Sequence, residues 1–190
     1  MRRALLFVLT ALLLAGCGAA TPTAAGNPAP APAAAAPAGL SRSLPTAIDV
    51  PAIDAQSSLV SLGLNADKTV EVPPVDQPLQ AGWYEYGPTP GEVGPAVILG
   101  HIDGDHQKGI FWRLHEMKVG DQVHVDRADG GKLTFTVAKV DQIAKKEFPT
   151  EAVYGNTNEP ELRLITCGGK YDAASRNYLD NVIVYAKLVK

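Results

Sequence analysis

The stretch Leu162-Arg163-Leu164-Ile165-Thr166-Cys167-Gly168-Gly169 reads as a strand that halts at a pair of glycines. Its first half is apolar and β-branched enough for extended backbone, and Gly168-Gly169 punctuates it. Cys167 then stands at a strand end, beside a turn that another backbone can approach closely, a position suited to attack on a bound carbonyl. The chain holds two cysteines, and the other, Cys17, falls in a processing segment, so Cys167 has no disulfide partner. Most free cysteines are small buried hydrophobes. Spacing alone leaves both readings open.

Working outward, short alternating segments recur at 47–53, 59–64, 69–72, 83–86, 96–102, 122–128, 132–143, 161–167 and 182–189, divided by Pro and Gly. Asp129-Gly130 between two of them is a hairpin signal. Helical spacing is confined to 111–117 and 149–154. Repeated short strands with tight turns make this an all-β chain, a sandwich or a barrel.

His101 follows the apolar run Ala96-Val97-Ile98-Leu99-Gly100 and is the polar residue in core-like surroundings; a structural and a catalytic histidine both fit that position. His106, His115 and His124 read as surface positions. Since only a few per cent of an ordinary thiol is ionised at neutral pH, a histidine near Cys167 would raise the thiolate fraction and later protonate a leaving amine. His101-Ile102-Asp103-Gly104-Asp105-His106 also admits a divalent-metal or calcium-type loop. Its spacing matches no specific ligand pattern, and Asp and Gly are ordinary turn formers, so the plain-loop reading stands and no metal is assigned.

Leu164-Ile165-Thr166-Cys167 resembles the Thr-Leu-x-Thr-Cys signature of sortases, and Ile98-Leu99-Gly100-His101 resembles the strand-ending Gly-His that supplies the sortase histidine. Thr166-Cys-Gly-Gly-Lys-Tyr-Asp172, followed by Tyr178, Asp180-Asn181 and the strand from Val182, is similar in particular to the class F sortases of actinobacteria. The resemblance spans roughly the last three quarters of the chain. It implies a closed eight-stranded β-barrel with one or two short helices, and a cysteine transpeptidase with Cys167 as nucleophile and His101 as general acid/base. Sortases are similar to one another in using an arginine after the cysteine as oxyanion donor. Arg176 is the one arginine in that region, while Asn181 occupies the slot at the opening of the last strand where many sortases have theirs; Arg176 is the first choice, with Asn181 as a substitute amide donor. The implied partners are secreted proteins with a C-terminal sorting motif and an amine of the peptidoglycan precursor, and the chemistry requires no cofactor. Two rivals stay open: a cysteine enzyme that cross-links or hydrolyses peptidoglycan, and a non-catalytic lipid-anchored binding barrel.

At the other end of the chain, Met1-Arg2-Arg3 precedes an apolar run over 4–14, short of the roughly 20 residues a bilayer span needs. This reads as a signal peptide over 1–16. Leu14-Ala15-Gly16-Cys17 resembles a bacterial lipobox, which implies lipidation of Cys17 and an anchor on the outer face of the cell membrane. Residues 17–45 are mostly Ala, Pro, Thr and Gly, a composition too poor in large apolar groups to offset ordering entropy, and read as a disordered tether. Residues 46–190 have the length of one domain. A net charge of −3 without a basic run argues against nucleic acid as a partner.

Overall fold

A computed structural model describes residues 39–189; the expected signal peptide, the lipidation site Cys17 and most of the tether lie outside the described residues. The strands are β1 (Pro45–Val50), β2 (Ala55–Leu62), β3 (Ala81–Tyr84), β4 (Gly94–Gly100), β5 (Asp103–Gly104), β6 (Gln107–Lys108), β7 (Gln122–Arg127), β8 (Lys132–Ala144), β9 (Pro160–Asp172) and β10 (Asn177–Leu188), with a single α-helix, α1 (Thr150–Tyr154), among the described residues. Eight strands close into a barrel in the order β1-β2-β3-β4-β9-β10-β8-β7, and β5 and β6 form a separate small hairpin. The eight-stranded all-β barrel with very few helices is therefore what this sequence builds.

Alternation decides which side chains enter the barrel. In β7 Val123, Val125 and Arg127 are buried while Gln122, His124 and Asp126 are not, the period-2 pattern of a strand with one wet face. Trp83, Ile98, Phe135, Leu162, Leu164 and Val184 meet in the interior. β4 differs: nearly every residue of Gly94–Gly100 is buried, because β4 lies parallel to β9 and its outer face is covered by α1, where Val97, Val153, Ile165 and Ile183 form a second apolar cluster. A strand covered on both faces reads as a continuous apolar run. Gly100 is forced by packing, since a Cβ there would collide with the Ile110 and Phe111 side chains.

Several elements depart from the sequence reading. The strand expected over 47–53 ends at Val50, because Pro51 starts a 3-10 turn instead. The strand expected over 69–72 reduces to the isolated bridge Leu64↔Val70, with Pro73-Pro74 behind it unable to donate to a ladder. The expected helix over 111–117 is one 3-10 turn, Leu114–Glu116, whereas the expectation over 149–154 becomes α1. Residues 39–44, grouped by composition with the tether, follow the barrel: the Leu40 N–H donates to the Gly91 carbonyl at 2.7 Å, and the Arg42 guanidinium donates to the Glu85 carbonyl at 3.1 Å.

The largest departure is at the quoted stretch. β9 does not stop at Gly168-Gly169; it continues to Asp172 and turns back as β10. Between the pairs Asp180↔Gly168 and Tyr178↔Tyr171, two residues of β9 oppose one of β10. Gly169 sits in this bulge at φ 72°, the left-handed conformation that a glycine adopts at no steric cost. The glycine pair bends the strand rather than ending it.

Candidate active site

The ladder itself assembles the site. Leu162 and Leu164 face the barrel interior, so alternation turns Arg163, Ile165 and Cys167 to the outer face. In the parallel β4–β9 pair Leu99 is opposite Ile165, and carrying that register two residues further sets His101 beside Cys167 on the same face. On the other side Asn181 is directly opposite Cys167 and also pairs with Ile143 of β8. Three adjacent strands thus offer an imidazole, a thiol and an amide in a row.

His101, Cys167 and Asn181 line one cavity of about 690 Å³. Much of its wall is apolar: Leu99 and Ile165 from the ladder, Phe148 and Tyr154 from the β8–β9 connection, and Val72 and Pro73 from the β2–β3 connection. Burial pushes the Tyr154 phenol up, with the nearby Tyr84 adding to it, so this wall stays uncharged. The His101 Nε2 atom lies 2.6 Å from the Pro73 carbonyl oxygen. A carbonyl only accepts, so Nε2 carries a proton, and in the neutral ring Nδ1 is the nitrogen left with a lone pair.

Cys167 is partly buried and free, and its thiol contacts a residue that the sequence reading missed. The Lys145 ammonium lies 3.5 Å from the Cys167 Sγ and donates to the Asn177 Oδ1 at 2.6 Å. Arg176 does not line the cavity; it is exposed in the turn between β9 and β10, at φ 51°. Thr166 also lines the cavity, and its hydroxyl is buried without a hydrogen-bond partner among the described residues.

Beyond Cys167 a smaller cavity of about 260 Å³ is lined by Trp112, His115, Gly168 and Gly169 together with Cys167. Cys167 thus borders two spaces. The candidate metal loop folds as the β5–β6 hairpin, with Asp105 and His106 in its turn at positive φ, and among the described residues no three His, Cys, Asp or Glu side chains converge as a ligand set. Asp103 has another partner: the Tyr178 hydroxyl donates to its carboxylate. That bond, with burial behind it, pushes the Tyr178 phenol up to about 12. It straps the hairpin to β10 next to the thiol.

A barrel of this topology, with Gly-His closing one strand and Thr-Cys in its parallel neighbour, defines a cysteine-centred sortase-type domain. The family model for the sortase domain matches residues 48–189, and the chain belongs to that family. Solved structures agree on the fold. A sortase D5 transpeptidase of Clostridium perfringens superposes with TM-score 0.56 at 20% identity, over 78% of this chain and 79% of that one. Sortase A of Corynebacterium diphtheriae gives TM-score 0.58 at 20% identity, over 79% of this chain and 62% of the other. Sortase C1 of Streptococcus agalactiae gives 0.57 at 22%, over 76% and 66%. No curated protein matches the sequence.

Proposed function

We infer that the protein is an extracytoplasmic cysteine transpeptidase of the class F sortase kind, anchored by lipid at Cys17 to the outer face of the cell membrane. The observation that carries the reading is the parallel pairing of β4 with β9, which brings the histidine after Gly100 and the thiol before Gly168 into one apolar cavity. In the reaction the Cys167 thiol gives its proton to His101, and the thiolate attacks the carbonyl of a Thr-Gly type bond in the sorting motif of a secreted protein. The oxyanion accepts a hydrogen bond from the Asn181 amide, favoured over Arg176 because Asn181 is opposite Cys167 in the ladder. Collapse breaks the C–N bond, His101 protonates the departing amine, and an acyl-thioester remains. An amine of the peptidoglycan precursor then attacks the thioester, His101 takes its proton, and Cys167 leaves as thiolate.

The test is intact-mass detection of the acyl-enzyme with a panel of sorting-motif peptides. The expected result is an adduct on Cys167 that disappears in Cys167→Ala, whose melting temperature stays close to that of the parent. An adduct with a muropeptide and none with any sorting peptide would move the protein to the wall cross-linking or hydrolysing class. No adduct with either, together with a thiol inert to alkylation, would leave a binding barrel.

A further inference from the structure

A transpeptidase that ionises a thiol and then gathers negative charge on a carbonyl oxygen is favoured by a cation at the sulfur. Among the residues lining the Cys167 cavity the cationic side chains are Lys68 and Lys145, besides the titratable His101. Of these, Lys145 touches the sulfur, at 3.5 Å. Its neighbour Lys146 turns out to solvent toward Glu147, whereas Lys145 is half-buried and among the described residues pairs with no carboxylate. Its head is fixed instead by the neutral Asn177 Oδ1, at 2.6 Å. An ammonium oriented by an uncharged acceptor keeps its full charge for whatever else it faces. Here that is Cys167.

We propose that Lys145 is a catalytic residue, the cation that holds the Cys167 thiolate and then the oxyanion formed on the carbon bonded to it. The proposal rests on Cys167 being the nucleophile. An ammonium has three donors: one is spent on Asn177 and a second lies on the sulfur. When the sulfur forms its bond to the substrate carbonyl carbon its negative charge passes to the carbonyl oxygen, one bond further out, and the same donor follows it there. No proton is transferred by Lys145 in this step; His101 carries the proton that the leaving amine takes. Asn181, opposite Cys167, completes the pair of donors. The backbone supports the arrangement: Lys145 follows directly on β8, two residues past Ile143, which pairs with Asn181, so the end of β8 delivers the ammonium to the same row that holds the thiol.

The experiment compares Lys145→Met, which keeps the methylene stem and removes the charge, Lys145→Arg, and Lys146→Met as a neighbouring charge control. The first readout is the rate of Cys167 alkylation by iodoacetamide at neutral pH, which requires no substrate and so stands even if every sorting peptide fails. Lys145→Met is expected to slow it about tenfold, with Lys145→Arg recovering part of the loss and Lys146→Met unchanged. The second readout is single-turnover thioester formation with an accepted peptide, expected to fall about 100-fold in Lys145→Met, the usual loss for one oxyanion donor. Circular dichroism and a thermal melt verify that each variant is folded. Alkylation in folded Lys145→Met within twofold of the parent overturns the proposal, as does Arg176→Ala producing the loss in thioester formation while Lys145→Met does not.

Discussion

His101 illustrates how one backbone contact sets the chemistry of a side chain. With Nε2 donating to the Pro73 carbonyl at 2.6 Å, the ring is held in one tautomer and one orientation before substrate arrives. That leaves Nδ1 as the nitrogen through which the proposed reaction passes its proton. In the proposed reaction, replacing His101 by Ala removes both the base and the acid, and thioester formation is expected to fall about 10²- to 10⁴-fold in a single-turnover assay. Pro73→Gly retains the carbonyl but frees the backbone that aims it, so it should give a smaller loss in the same assay, with the melting temperature lowered by a few degrees at about 1 kcal/mol. A Pro73→Gly loss equal to that of His101→Ala would mean that the carbonyl's position, not the imidazole's identity, limits the reaction. The two cavity-lining residues that carry the reading, Cys167 and His101, were visible in sequence because each ends a strand pattern. Lys145 was not: in Lys145-Lys146-Glu147 it reads as solvated surface, and its contact with Cys167 joins positions 22 residues apart.

At the scale of elements, the strand that carries Cys167 is bent by a bulge. Gly169 holds φ 72°, and a Cβ there would run into the Asp180 carboxylate. Gly169→Ala is expected to cost about 1–2 kcal/mol from the left-handed backbone alone, more if Asp180 cannot move. Because the bulge begins two residues after Cys167, thioester formation should drop further than stability does. Thermal melts set beside single-turnover rates measure both, and a variant that loses stability without losing rate would disconnect the bulge from the thiol. The strands whose one face is wet, such as β7 (Gln122–Arg127), were legible from alternation, and the Asp129-Gly130 turn from its residue types. The two parallel pairings, β2 with β3 and β4 with β9, were not, since nothing local in a strand states which distant strand it will join. The same holds for Gly168-Gly169, where a bulge and a turn ask for the same residue. Local pattern therefore reveals the class of fold and two residues that line the cavity, while strand register brings them together.

At the scale of the whole molecule, the barrel's far side is tied by one buried cation. The Arg127 side chain is 2% exposed; it donates to the carbonyls of Pro90 at 2.5 Å and Ser41 at 2.8 Å, and to the Asp129 carboxylate at 2.8 Å. It therefore joins the β7–β8 turn, the β3–β4 connection and the segment by which the chain enters the domain. Arg127→Ala leaves two carbonyls short of a donor and is expected to lower stability by about 2–3 kcal/mol, roughly 5–10 °C in melting temperature for a domain of this size. The partner carboxylate gives a pH-resolved version of the same test. Asp129 is lowered from 3.8 to about 2, first by the hydrogen bond from Arg127 and then by the Gly131 N–H. Since its folded value lies below its unfolded one, the ionised carboxylate favours the folded state fully above about pH 4, and that contribution is lost as pH falls through about 2. Asp129→Asn should melt below the parent at pH 7, and the two curves should converge as the pH is taken from 4 down to 2. Coincident melts at pH 7 would show that Arg127 draws its hold from the two carbonyls alone, and a gap that stays constant down to pH 2 would show that the Asp129 contribution does not come from its charge.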